Sequence, residues 1–244
     1  MRTEEHNYLD QLEDRMWWFK GLRRNVEIIL SHHVSGHFLL LDAGCGTGGM
    51  MHRLEERFPD ATLHGIDYSA DACERSRRKS KAIVQCGSVS SLPYEDKLFD
   101  VITSLDVLGH DAVDMVCTLQ EFQRCLKAGG LLLLNVPAYQ WMLSYHDLAV
   151  GHTMRFTLRG MEHELPKYGF KMIYSTYWNT LFFPLMVLRR KLLVRPDGGS
   201  DVKPFPPLIE GIFMRAMQIE QAIISKGWKL PFGGSILILA ERVA

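Results

Sequence analysis

The stretch LDAGCGTGG, Leu41 to Gly49, follows an apolar run and leads into a helical pattern around GMMHRLEERF. A glycine turn between a buried strand and a helix is the entry to a doubly wound sheet, whose ligand sits beyond the carboxyl end of the first strand. The residues on either side follow that plan. HFLLLDAG (37–44), ATLHGID (61–67), KAIVQCG (81–87), FDVITSLD (99–106) and GGLLLLNVP (129–137) are short apolar runs separated by helical patterns. Runs that are continuously apolar, not alternating, are strands buried on both faces, as in a parallel sheet. FKMIYSTYWN (170–179) and GSILILAERV (234–243) add two more strands.

The expected architecture is α/β: a doubly wound, mostly parallel seven-stranded sheet of Rossmann-like form, with N-terminal helices and a helical lid inserted before the last strand. Residues 4–33 repeat apolar positions at helical spacing, from Leu9 and Leu12 through Met16 and Phe19 to Ile29 and Leu30, and read as helical. The division is 1–36 as a helical cap, 37–137 as a ligand-binding core, and 138–244 as an acceptor loop, the lid and the last two strands. The lid comprises LFFPLMVLRRKLLV, the hinge RPDGGSDVKPFPP and the helix LIEGIFMRAMQIEQAIISK.

Composition narrows the partners. Lysine plus arginine equals aspartate plus glutamate at 28 each, which argues against a nucleic-acid partner. Five cysteines without a C-x-x-C pair read as reduced thiols. No apolar run approaches the roughly 18 to 20 residues of a membrane span, and the first residues lack a signal-peptide core. A cytoplasmic protein is expected.

Gly44, Gly46 and Gly49 fit the G-x-G-x-x-G spacing of a dinucleotide turn, but Asp42 argues against that ligand. A carboxylate two residues before the first glycine would repel a pyrophosphate, and it favours the ammonium and sulfonium of S-adenosylmethionine. Asp67, at the end of the second strand, suits the ribose hydroxyls that both ligands carry.

GSVSSLPYEDKLFDVITSLDVLGH and LKAGGLLLLNVP resemble the corresponding stretches of class I S-adenosylmethionine-dependent methyltransferases, over about residues 38–137. The resemblance implies S-adenosyl-L-methionine as methyl donor, with no metal. Asp42, Gly44, Gly46 and Gly48 would hold its methionine end and Asp67 its ribose. Ser88 with Val89 would hold the adenine, and Leu105 completes the donor set. Many members have an aspartate where this chain has Ser88, and a hydroxyl makes a weaker acceptor there.

Acceptor chemistry is expected just after the fifth strand, in SYHDLAVGHTMRF (144–156). His146 or His152 would be the general base and Asp147 its orienting carboxylate, with Arg155 available to an anionic acceptor group. The alternative is a structural polar loop in which Asp147 caps a turn. With Met16-Trp17-Trp18-Phe19-Lys20 and Asn135-Val136-Pro137-Ala138, the segment resembles a bacterial subgroup, of methyltransferase type 11/12, with a D-x-x-x-G-H loop. That subgroup has two basic residues after the loop, whereas here Met154 precedes a single Arg155. Trp17, Trp18, His110 and Tyr139 are the further candidates for acceptor contact. Segment 181–195, apolar with four cations, either touches a membrane surface or packs as a lid.

The expected function is methyl transfer from S-adenosylmethionine to a hydroxyl or amine of a small molecule: a secondary metabolite, a sugar or a lipid-linked acceptor. The alternative is a donor-binding accessory protein at a membrane surface, without catalysis of its own.

Overall fold

The computed structural model describes residues 12–192 and 205–243. Residues 4–11 of the expected first helix, and the hinge as far as Pro204, lie outside the described residues. The strands are β1 Leu39–Ala43, β2 Thr62–Asp67, β3 Ile83–Cys86, β4 Phe99–Leu105, β5 Leu126–Pro137, β6 Phe170–Trp178 and β7 Ser235–Arg242. They form one sheet in the order β3-β2-β1-β4-β5-β7-β6. β1 to β5 run parallel, and β7 lies antiparallel between β5 and β6.

Around the sheet lie α1 Trp17–Ser31, α2 Gly49–Arg57, α3 Ala70–Lys79, α4 Met115–Cys125, α5 Tyr145–Ala149, α6 Leu158–Glu164, α7 Phe183–Leu192 and α8 Pro207–Ile224. Successive strand side chains point to opposite faces, so an unbroken apolar run feeds two cores at once. Leu40, Val101 and Leu133 join Val26 and Leu30 of α1 and Met217 of α8 in one core. Their neighbours Leu41, Ile102 and Leu132 join Leu119 and Phe122 of α4 and Met161 of α6 in the other.

The helical segment expected over 4–33 is interrupted within its described part. Residues 13–15 form a turn, Met16 is extended (φ −75°, ψ 133°), and α1 begins at Trp17. The turn has a reason outside the segment. Glu13 leaves the helical path to accept from Thr47 Oγ1 at 2.9 Å in the glycine turn, and it also pairs with Lys79. Trp17 N–H, unpaired by any helical cap, donates to Glu210 of α8 at 3.1 Å.

The lid leaves the sheet at the end of β6 and returns at the start of β7. Its exit is pinned by the buried Glu220 of α8, which accepts from the backbone N–H of Asn179 (2.7 Å), Thr180 (2.8 Å) and Leu181 (2.9 Å). The chain winds outward from β1 to β3 and returns to β4 on the other side of β1. A crevice therefore opens between the carboxyl ends of β1 and β4.

Candidate active site

That crevice is a cavity of about 400 Å³. Its wall holds Asp42, Gly44, Gly46, Asp67, Ser88, Val89 and Leu105, seven of the eight residues expected around the donor. Gly44 has φ +91°, and a Cβ there would sit 2.2 Å from Val107 Cγ2, so only glycine lets the turn close against the end of β4. Over Gly46 the space is open. Its N–H donates to Asp67 Oδ2 at 3.0 Å, and Ser69 N–H donates to Asp67 Oδ1 at 2.9 Å, so the carboxylate braces the loop it faces.

Gly48 corrects the sequence reading, for it stands outside the wall. It is the residue preceding α2 (φ +89°), and a Cβ would lie 2.7 Å from the Ser76 Cα. Its role is to let α2 and α3 approach. Ser88 Oγ accepts from Ser90 N–H at 3.1 Å, which stabilises the turn after β3.

Asp42 carries the decisive electrostatics. It is 2% exposed, and Thr103 Oγ1 donates to its Oδ1 at 2.8 Å. Burial, with Asp67 nearby, raises its carboxyl to about 7. A buried carboxyl group in a ligand-sized cavity, beside a second carboxylate and with no cation paired to it among the described residues, fits a positively charged ligand group.

The same cavity is also lined by Trp18, His110, His146, Asp147, His152 and Arg155. Trp17 and Tyr139, also expected there, are elsewhere. Trp17 is core, edge-on to Phe213 (5.0 Å) and Phe182 (5.6 Å). Tyr139 stacks on Tyr177 at 5.4 Å with 11° between the rings. The neighbouring indoles of Trp17 and Trp18 point about a hundred degrees apart around α1, so only one reaches the cavity.

Asp147 fits the structural alternative, a cap in a polar loop, better than the orienting role. Its Oδ1 accepts from Arg155 Nη2 at 2.6 Å, and its Oδ2 accepts from the N–H and Oγ of Ser144, both at 2.8 Å. Arg190 of α7 approaches the same Oδ2 at 3.4 Å. Arg155 Nη1 also donates to Ala138 O at 2.8 Å. This buried ion pair ties loop, sheet end and lid together, and the D-x-x-x-G-H pattern is its sequence trace. Gly151 and His152 of the pattern abut His110: a Cβ on Gly151 would lie 2.4 Å from His110 Nε2, and the two imidazoles are 5.9 Å apart. His110 Nδ1 is 2.8 Å from Asp111 Oδ1. Burial lowers His152 to about 4, so it is a neutral imidazole at pH 7.

Glu13 and Asp106 are among the lining residues that the sequence did not single out. Glu13 reaches the glycine turn from the N-terminal segment. Asp106, just past β4, has φ +58° and receives a hydrogen bond from Asn135 Nδ2 at 2.8 Å. Burial raises its carboxyl to about 7, and Asn135 and Arg155 counteract that only in part.

Residues 41–134 match the family model described as a methyltransferase domain. Over that span the chain carries a methyltransferase domain.

Relatives and solved structures surround this methyltransferase domain. The chain is 32% identical over 114 residues to malonyl-[acyl-carrier protein] O-methyltransferase 1 of Coxiella burnetii, covering 46% of this chain and 39% of that one. It is 30% identical over 149 residues to an uncharacterised protein of Methanocaldococcus jannaschii, covering 60% and 59%. The chain thus spans less than two thirds of the length of these curated relatives. A geranyl diphosphate methyltransferase solved in complex with S-adenosylmethionine shares the fold, with a TM-score of 0.65 at 17% identity over 92% of this chain and 86% of that one. The matched methyltransferase span stops at Leu134, so the 144–156 loop, α7 and α8 lie beyond it.

Proposed function

We propose that the chain transfers the methyl group of S-adenosylmethionine to a hydroxyl or amine of a small molecule, and that Asp106 receives the displaced proton. The buried Asp42 at the glycine turn, with no cation paired to it among the described residues, carries the first half of this reading. It suits the donor's ammonium and sulfonium, and Asp67 suits its ribose. Bound there, S-adenosylmethionine supplies a methyl group on a good leaving group. The chain's own residues hold the acceptor in line, exclude water and accept a proton.

A proton acceptor works best when its conjugate acid ionises near the working pH. Asp106, at about 7, meets that condition, and His152, at about 4, does not. His152 therefore gives way as base to the carboxyl at the end of β4. His146 and His152 are retained as acceptor wall. A small acceptor is supported by the cavity being walled by α7 and the 144–156 loop, and by the balanced charge of the chain. Several relatives carry names that point to acyl-carrier-protein or RNA acceptors.

The test begins with calorimetric titration of S-adenosylmethionine and of NAD into the purified protein. Saturable binding of S-adenosylmethionine alone is expected. Labelled-methyl transfer is then followed with small hydroxyl and amine acceptors, acyl carrier protein and RNA. Binding of NAD in preference would end the methyl-transfer reading, and transfer to RNA alone would end the small-molecule one.

A further inference from the structure

α7 is a helix with the wrong side outward. Met186 and Arg190 line the cavity, and Arg190 Nη1 reaches Met142 O at 3.4 Å. The opposite side presents Leu185 and Leu188, one helical turn apart, to water, with Leu181 just ahead of them. Leu185 is 52% exposed. A lid that faced only water would carry its polar residues there.

The apolar surface continues onto both neighbours. Phe182, beside Leu181, packs on Phe213 of α8 at 4.4 Å, and the first turns of α8 expose Leu208 (78%) and Ile212 (54%). On the other flank Phe183 meets Trp141 at 6.1 Å, and this loop exposes Trp141, Tyr145 and Leu148. Cations complete the pattern. Beside the cavity-facing Arg190, the last turn of α7 holds Arg189 and Lys191, the helix has no acidic residue, and Lys191 Nζ lies 5.9 Å from the Trp141 ring.

We propose that this face, made by α7, the start of α8 and residues 141–148, rests on an anionic lipid bilayer, from which an amphiphilic acceptor enters the cavity. Aliphatic side chains at the centre suit the acyl boundary. Trp141 and Tyr145, apolar rings with polar tips, suit the headgroup level, and the cations suit anionic headgroups. The side chains that would meet the bilayer and those that line the cavity belong to the same elements, so docking brings the membrane to the cavity mouth. The bilayer contact stands on the surface alone. The identity of the entering molecule as a methyl acceptor rests on the methyl-transfer reading above.

The experiment is co-sedimentation of the full chain with phosphatidylcholine vesicles and with vesicles of equal parts phosphatidylcholine and phosphatidylglycerol. The double variant Leu185→Glu/Leu188→Glu, which leaves the cavity-lining side chains in place, is run beside it. S-adenosylmethionine affinity and sedimentation velocity are measured on both proteins. The wild type should bind the phosphatidylglycerol vesicles, and less well at high salt. The variant should bind them at least about tenfold more weakly with its donor affinity unchanged. Normal donor affinity without vesicle binding would overturn the proposal, as would equal vesicle binding by the variant. A wild-type dimer that the variant dissociates, without vesicle binding by either, would assign the face to a second copy instead. Vesicle binding in a protein that takes no S-adenosylmethionine would sink the methyl-transfer reading and leave the bilayer contact standing.

Discussion

Asn135 spends both ends of its amide on two neighbours: Nδ2 donates to Asp106 at 2.8 Å, while Oδ1 accepts from Trp178 Nε1 at 2.8 Å. Asn135 and Trp178 are fully buried, so Asp106 is held at the strand end by a rigid chain of partners. Asp106→Asn should lower kcat by about 10²- to 10⁴-fold and leave donor affinity unchanged. The carboxyl must be ionised to accept a proton, so the wild-type rate should rise with pH through about 7 and the variant should lose that limb. A pH profile unaltered in shape would hand the proton to another group.

Asp42 links donor binding to stability. Its carboxyl sits at about 7 in the folded chain against 3.8 for an ordinary aspartate, so the folded state holds a proton that the unfolded chain releases. The stability this contributes is complete below about pH 4 and is lost as pH climbs through about 7. His152, lowered to about 4, works in the opposite direction, so the comparison has to be made against a variant at Asp42 itself. Asp42→Asn should match the wild-type melting temperature at pH 4, exceed it by several degrees at pH 8, and abolish donor binding. Equal melting curves at both pH values would show that Asp42 is solvated, contrary to its burial.

The Asp147–Arg155 pair should behave as a buried ion pair. Removing either partner leaves a charge without compensation at a cost of about 3–5 kcal/mol. Asp147→Asn and Arg155→Met should each destabilise by that order in urea unfolding, and the double variant by clearly less than their sum. Strict additivity would mean that the two groups act separately.

Trp17 and Trp18 should separate stability from binding. Trp17→Ala should cost about 3–5 kcal/mol of folding stability, as expected when a core indole is truncated, without a specific change in acceptor KM. Trp18→Ala should raise the acceptor KM. The reverse pattern, read from urea curves and steady-state kinetics, would exchange the two roles.

The sheet was readable because its strands are nearly all apolar, and few arrangements bury both faces of five parallel runs. The meeting of Asp42, Gly44 and Asp67 in one cavity wall was readable for a related reason: a strand end, a glycine turn and a second strand end bring them together by topology alone. Gly48 shows where that reasoning stops. Glycine spacing does not distinguish a turn facing a ligand from one facing a neighbouring helix. Asp106 stayed hidden because its backbone conformation and its Asn135 partner arise only when β4 lies beside β5. Asp147 was left between an orienting and a capping role because its partner Arg155, eight residues on, also fitted an acceptor contact. Trp17 and Trp18 differ only in which neighbour α1 turns them toward, and α8, almost two hundred residues away, decides that.

Trp178 and Ser235 face each other across the β6–β7 pair, so the lid begins and ends at one rung of the sheet. An excursion with fixed, adjacent ends can lengthen or shorten cheaply, since doubling a loop costs only about 0.6 kcal/mol in closure entropy. None of the five parallel strands need shift when it does. The region behaves as an exchangeable cassette: lineages can trade one entrance for another while the hold on the donor is inherited unchanged.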